Sequence, residues 1–149
     1  MDIKIEEAGL EHLEEIVTLN HRIFAPIYSW PPYTLEQYSK KLRDKKPLIY
    51  VVRKSDIIIA DCIAFAIDSS WYIWILGVAP EYRNKRVATK LLATHDGYAS
   101  SKNFRTVSAK VYNVSTAMQV MLVEREYQAA ERVNGKDIYS DAIRFELRL

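Results

Sequence analysis

The chain has 149 residues and only 4 glycines, where average usage of about 7% would give roughly ten. Any ligand loop built on glycine must be found at Gly9, Gly77, Gly97 or Gly135. There is a single cysteine, Cys62, which excludes an internal disulfide framework. Cys62 lies inside a β-like run and reads as a small buried hydrophobe, not a reactive thiol. Three histidines are too few for a dedicated metal cage, and His12 and His21 do not have the i,i+4 spacing of a helical metal pair. An excess of positive charge is also missing. Lys+Arg 21 against Asp+Glu 19 leaves +2, which argues against a dedicated nucleic-acid binder. The longest apolar run, Ile57 to Ile67, is interrupted by Asp61 and falls short of the roughly 20 residues a membrane span needs. Met1 to Glu7 is charged and has no apolar signal core. These absences set the expectations: a cytoplasmic setting, with no metal, no nucleic acid and no membrane as partner.

What is present is a folded-domain composition, 49% hydrophobic and 27% charged. With no repeat, low-complexity tract or linker, residues 1–149 read as one domain. Ile3 and Ile5 alternate with charge, predicting a short strand. Leu10, Leu13, Ile16, Val17, Asn20 and Ile23 follow helical spacing over about 10–24. Thr34 and Gln37 form a capping box, with Tyr33 and Tyr38 at the staple positions, so a second helix runs from Thr34 to about Asp44. Its trailing lysines and arginines suit a solvated helix C-terminus. Strands follow at Leu48 to Arg53, Ile57 to Ile67 and Trp71 to Val78, joined by short polar turns as in an antiparallel meander.

A third helix carries Val87, Leu91, His95 and Tyr98 on one face and runs to about Ser101. His95 is expected to pack in the core or at its edge. Val107, Ala109 and Val111 then alternate as a strand. A helix over Thr116 to Glu126 points Ala117, Met121 and Leu122 inward, and strands near Ala130 to Val133 and over Ile143 to Leu147 close the chain. The order β-α-α-β-β-β-α-β-α-β-β predicts an α/β (α+β) fold. The strands flanking the third helix should be parallel, since a helix crosses between them. The result is a mixed sheet of six to seven strands with helices on both faces.

The segment Leu76-Gly77-Val78-Ala79-Pro80-Glu81-Tyr82-Arg83-Asn84-Lys85-Arg86-Val87-Ala88-Thr89 carries the chemistry. A strand ends, a cationic loop follows, and a helix opens at once. Helix N-termini offer unpaired N–H groups and a positive dipole end, so this is a seat for an anion such as phosphate.

Here the chain resembles the GCN5-related N-acetyltransferase (GNAT) family. Val78-Ala79-Pro80 matches the family's Val-x-Pro, and Arg83 to Ala88 matches its Gln/Arg-x-x-Gly-x-Gly/Ala loop at Arg83 and Ala88. Asn113 and Glu124-Arg125-Glu126-Tyr127 extend the likeness over nearly the whole chain. The resemblance implies acetyl-CoA as co-substrate. Its pyrophosphate would lie on the amides of Arg83, Asn84, Lys85, Arg86, Val87, Ala88 and Thr89. Its pantetheine arm would pair with Leu76, Gly77 and Val78, in a cleft where that strand splays from the next. Gly77 is expected at a β-bulge that helps aim an N–H at the thioester oxygen. Two positions depart from the family: Arg86 stands at its first loop glycine, and Glu126 at another. A left-handed backbone at Arg86 would cost roughly 1 kcal/mol; an ordinary helical one would cost little.

The acid and base are less defined. Family members often carry an acidic residue in the strand before Val-x-Pro, and Trp71 to Pro80 has none; where a tyrosine is usual, Leu122 or Val123 stands. The candidates are Tyr112 and Asp68, with Tyr127 and Glu81 behind them. Proximity alone can drive transfer if the amine arrives neutral. The expected acceptor is a small-molecule or peptide amine. The aromatic stretch Phe24 to Tyr33, with Tyr28 and Trp30, and the strand rings Tyr72 and Trp74 are candidates to line its pocket. A homodimer, common in the family, is compatible with the sequence. The alternative reading is a non-catalytic protein of this fold that binds acyl-CoA or a protein partner.

Overall fold

The computed structural model describes residues 2–28, 31–137 and 140–149. The sequence-predicted order is the one found: β1 (Ile5–Ala8), α1 (Leu13–Phe24), α2 (Leu35–Leu42), β2 (Leu48–Lys54), β3 (Ile57–Ile67), β4 (Ser70–Val78), α3 (Val87–Ser101), β5 (Thr106–Tyr112), α4 (Thr116–Glu124), β6 (Gln128–Val133) and β7 (Ala142–Arg148). Short 3-10 turns at Leu10–His12 and Pro80–Tyr82 precede α1 and α3. The first turn corrects one expectation: Leu10 precedes the α-helix and is exposed.

Seven strands form one sheet in the order β1-β2-β3-β4-β5-β7-β6. All neighbours are antiparallel except β4 and β5, which are parallel because α3 crosses between them. In β3, Ile58 to Phe65 are all buried, as expected of a strand covered on both faces. On one face, α1 and α2 set Ile16, Val17, Ile23, Tyr38 and Leu42 against Ile49, Val51, Ile63 and Phe65. On the other, Leu91, Leu92, Ala99 and Leu122 of α3 and α4 pack on Val52, Cys62, Trp71, Val107 and Phe145.

Local chemistry fixes the ends of these elements. The Thr34–Gln37 capping box opens α2, with Tyr33 and Tyr38 rings 6.2 Å apart as the staple. His95 is fully buried between two partners: its Nε2 donates to the Cys62 carbonyl at 3.1 Å and its Nδ1 accepts from Trp71 Nε1 at 3.1 Å. Asp96 of α3 accepts from Arg125 at 3.0 Å and from the Tyr127 hydroxyl. That pairing ties the turn after α4 to the core and gives Glu124-Arg125-Glu126-Tyr127 a structural role. Ala117, expected inward, is exposed to the cleft described below, while Met118 and Met121 pack against the core.

Candidate active site

The parallel pairing of β4 with β5 runs only from Ser70↔Thr106 to Ile73↔Ala109. Beyond it the strands part, and Trp74 to Val78 have no strand partner on that side. The divergence begins at a bulge. Ile63 of β3 faces Ile75 and Ala64 faces Ile73, so Trp74 is the extra residue. The bulge reverses the side-chain alternation: Trp71 and Ile73 point to the α3 face, but Ile75 points to the α1 face.

This corrects the expectation for Gly77, which is not the bulged residue. Gly77 is instead a point of close approach. A Cβ there would lie 2.8 Å from Asn20 Oδ1, 3.1 Å from Ile23 Cδ1 and 3.3 Å from Phe24 Cζ. Glycine lets α1 settle against the strand beside the cleft.

The cleft is a cavity of about 500 Å³. Leu76, Gly77, Val78, Arg83, Asn84, Val87 and Ala88 line one end. There α3 starts with no acidic residue in its first turn and no side chain capping its amides. The Arg83 guanidinium folds back toward the Val78 carbonyl, its Nε 3.4 Å away. Lys85, Arg86 and Thr89 belong to the same loop and helix start but do not line the cavity. Arg86 is the N-cap of α3 with φ 64°, and Asn84 has φ 61°. The left-handed alternative at Arg86 is therefore the one that holds. Glu126 repeats it with φ 70°.

The other end is aromatic. Tyr28, Tyr33, Tyr38, Tyr72, Trp74 and Tyr112 line it, from α1's trailing loop, α2, β4 and β5. Tyr28 and Tyr112 meet edge to face at 5.2 Å, and the Tyr28 hydroxyl is hydrogen-bonded to Ser115 Oγ at 2.8 Å. Tyr33 stacks on Trp74 at 6.0 Å. Burial pushes the Tyr28, Tyr33 and Tyr38 hydroxyls up, and Tyr72 up to about 12, so all four are proton donors at neutral pH. Trp30 lies outside the described residues.

Of the catalytic candidates, Tyr112 is in the cleft. Asp68 is not: it sits in the exposed β3–β4 turn with φ 53°. Asn113 is also outside, in the turn after β5, where its N–H donates to the Asp141 carbonyl at 2.9 Å. Glu81 is ion-paired with Arg22 at 3.0 Å, and Tyr127 is buried on Asp96.

The sequence reading missed a carboxyl beneath the cleft. Asp61, paired across from Gly77, is fully buried under α1. Asn20 Nδ2 donates to its Oδ1 at 3.1 Å. Burial drives the Asp61 carboxyl up to about 7 against that hydrogen bond. Asp61 Oδ2 and Asn20 Oδ1 both lack a partner. Protonation of Asp61 gives this acceptor-rich spot the donor it lacks. The signal was visible as an acid in the middle of the longest apolar run.

Among the described residues no group of three or more His, Cys, Asp or Glu could hold a metal ion, and no helix is long and apolar enough to cross a membrane.

A family model described as the acetyltransferase (GNAT) family matches residues 12–122. No curated protein matches by sequence. Among solved structures, the ribosomal-protein-S18-alanine N-acetyltransferase of Escherichia coli superposes with a TM-score of 0.83 at 14% identity, over 99% of this chain and 94% of that one. NAA60 of Arabidopsis thaliana in complex with acetyl-CoA gives 0.81 at 18% identity, over 99% of each chain. The PaiA N-acetyltransferase of Thermoplasma acidophilum in complex with coenzyme A gives 0.79 at 17% identity, over 100% of each. These likenesses of fold span nearly the whole of both chains, and with the family match they lead to one assignment: the chain belongs to the GNAT acetyltransferase family.

Proposed function

We propose that this protein is an acetyl-CoA-dependent N-acetyltransferase that transfers acetyl to a primary amine by direct attack on the thioester. The observation that carries the reading is the continuity of the cleft. It runs from the open amides at the start of α3, along the unpaired edge of β4, to an end lined by tyrosines. Those three parts suit a pyrophosphate, a pantetheine arm and an acceptor in turn.

Acetyl-CoA supplies the activated acyl group and a thiolate leaving group. The chain supplies position and charge. The N-terminal amides of α3, with Arg83 and Asn84, hold phosphate oxygens. The open edge of β4 between Trp74 and Val78 pairs with the amide groups of the arm, and one of its N–H groups receives the developing oxyanion. Tyr112, in the cleft near the reacting end, is our candidate to give a proton to the leaving sulfur, and the proton lost by the attacking nitrogen restores its hydroxyl. The apolar walls favour a neutral amine over an ammonium, since burying a charge in them is costly.

Calorimetry with acetyl-CoA, followed by an assay of free coenzyme A release over a panel of amines, tests the proposal. Binding with turnover of at least one amine is expected, and Tyr112→Phe should lower kcat more than KM. Absence of acetyl-CoA binding would overturn the reading. Tight binding without turnover on any amine would identify a non-catalytic member of the fold instead.

A further inference from the structure

The acceptor end of the cleft has an electrostatic character that the proposed acetyl transfer does not require. Among the described residues that line the cavity there is no Asp and no Glu. The cations near the tyrosines are Lys41 of α2 and Lys110 of β5. Lys110 Nζ stands 5.2 Å from the Tyr112 ring centroid. Tyr33, Tyr72 and Tyr112 all line this end of the cavity. One ammonium and three tyrosines thus line the cavity beside the Trp74–Tyr33 stack.

We infer that the acceptor is an amine whose aromatic or apolar body also carries a carboxylate. This rests on the acetyltransferase reading above. The aromatic rings receive the body, and Lys110 with the Tyr33 and Tyr72 hydroxyls receives the anion. A phenol hydroxyl can donate to such a group. A polycationic amine meets the opposite: no carboxylate in the cavity wall, and lysine repulsion at its rim. An amine-binding cleft designed for polycations would need at least one acid to offset desolvation of each buried ammonium.

The test uses matched amines that differ only in the carboxylate. Tyrosine is compared with tyramine, and phenylalanine with phenethylamine, with spermidine as the polycation. Dissociation constants are read by calorimetry on the full chain saturated with the unreactive analogue desulfo-coenzyme A. The carboxylate-bearing member of each pair should bind roughly tenfold or more tightly, the usual scale of a charge-assisted hydrogen bond. Lys110→Met should erase the difference, and Lys110→Arg should retain it, with melting temperatures showing that both variants fold. Equal or tighter binding of tyramine and phenethylamine, preference for spermidine, or no binding by any of the five would overturn the inference. Failure of acetyl-CoA to bind is a separate result, which overturns the functional reading itself.

Discussion

Among the described residues nine non-glycine positions have positive φ, and no glycine does. Five of the nine are Asn or Asp, which tolerate that region; Lys46, Ser55, Arg86 and Glu126 do not share that tolerance, and the last two stand where the family has glycine. Low glycine content therefore has a local consequence, strain at two turns where a family glycine would be relaxed. Glu126→Gly should stabilise the chain by about 1 kcal/mol, since relief of left-handed strain outweighs the extra freedom of glycine in the unfolded state. That is a rise of about 2–4 °C in Tm for a chain of this size. Acetyl-CoA affinity should not change, because Glu126 does not line the cleft. Arg86→Gly should raise Tm in the same way but weaken acetyl-CoA binding, if the Arg86 guanidinium contributes charge to the phosphate seat. Calorimetry and thermal melting on the two variants separate strain from charge. A fall in Tm for both would show that the turns are not strained.

At the scale of elements, β4 decides the site, and its two devices differ in how visible they are in sequence. Gly77 could be singled out because a glycine in a strand asks for a reason. Its actual reason, α1 side chains packed over its Cα, depends on a helix more than fifty residues earlier in the chain and could not be read locally. The bulge at Trp74 left no trace, because Trp71 to Leu76 is almost uniformly apolar and an extra residue breaks no alternation. Element order was legible from periodicity, caps and turns, and the phosphate loop from strand, cations and helix start. The tyrosine cluster was legible only as scattered aromatics, since it gathers from four separate segments. Gly77→Ala makes the consequence testable. The added methyl would sit 2.8 Å from Asn20 Oδ1, so either Asn20 or α1 must move. We expect a stability loss of about 1–3 kcal/mol in denaturant unfolding, in the range of overpacked cores, together with weaker acetyl-CoA binding. Wild-type values for both would mean that α1 yields at no cost and does not shape the cleft.

At the scale of the whole molecule, two buried groups on opposite faces of the sheet set the pH response against each other. Asp61 lies under α1, and burial raises its carboxyl from 3.8 to about 7. The native state therefore binds more protons than the unfolded one between those values, and this contribution to stability is present at low pH and lost as pH rises toward 7. His95 lies under α3, and burial lowers its ring from 6.5 to about 4; the carbonyl of Cys62 pulls weakly the other way. Here the native state binds fewer protons, so the contribution is present above 6.5 and lost as pH falls toward 4. The two windows nearly coincide and the slopes have opposite sign, so the wild-type chain should change little in stability between about pH 4 and 6.5 from this pair. Removing one group exposes the other. Asp61→Asn should give stability that climbs with pH over that interval, and His95→Gln should give stability that falls. Urea unfolding at closely spaced pH values reads the slopes directly, whatever each substitution costs in absolute stability. A flat profile in Asp61→Asn would mean that His95 is not held neutral between Trp71 and Cys62, and a flat one in His95→Gln that Asp61 is not held as the acid. Because Asp61 faces Gly77 across the sheet and holds Asn20 at the cleft, its ionisation near pH 7 also falls where acetyl-CoA affinity should respond. That second readout should be lost in Asp61→Asn and kept in His95→Gln.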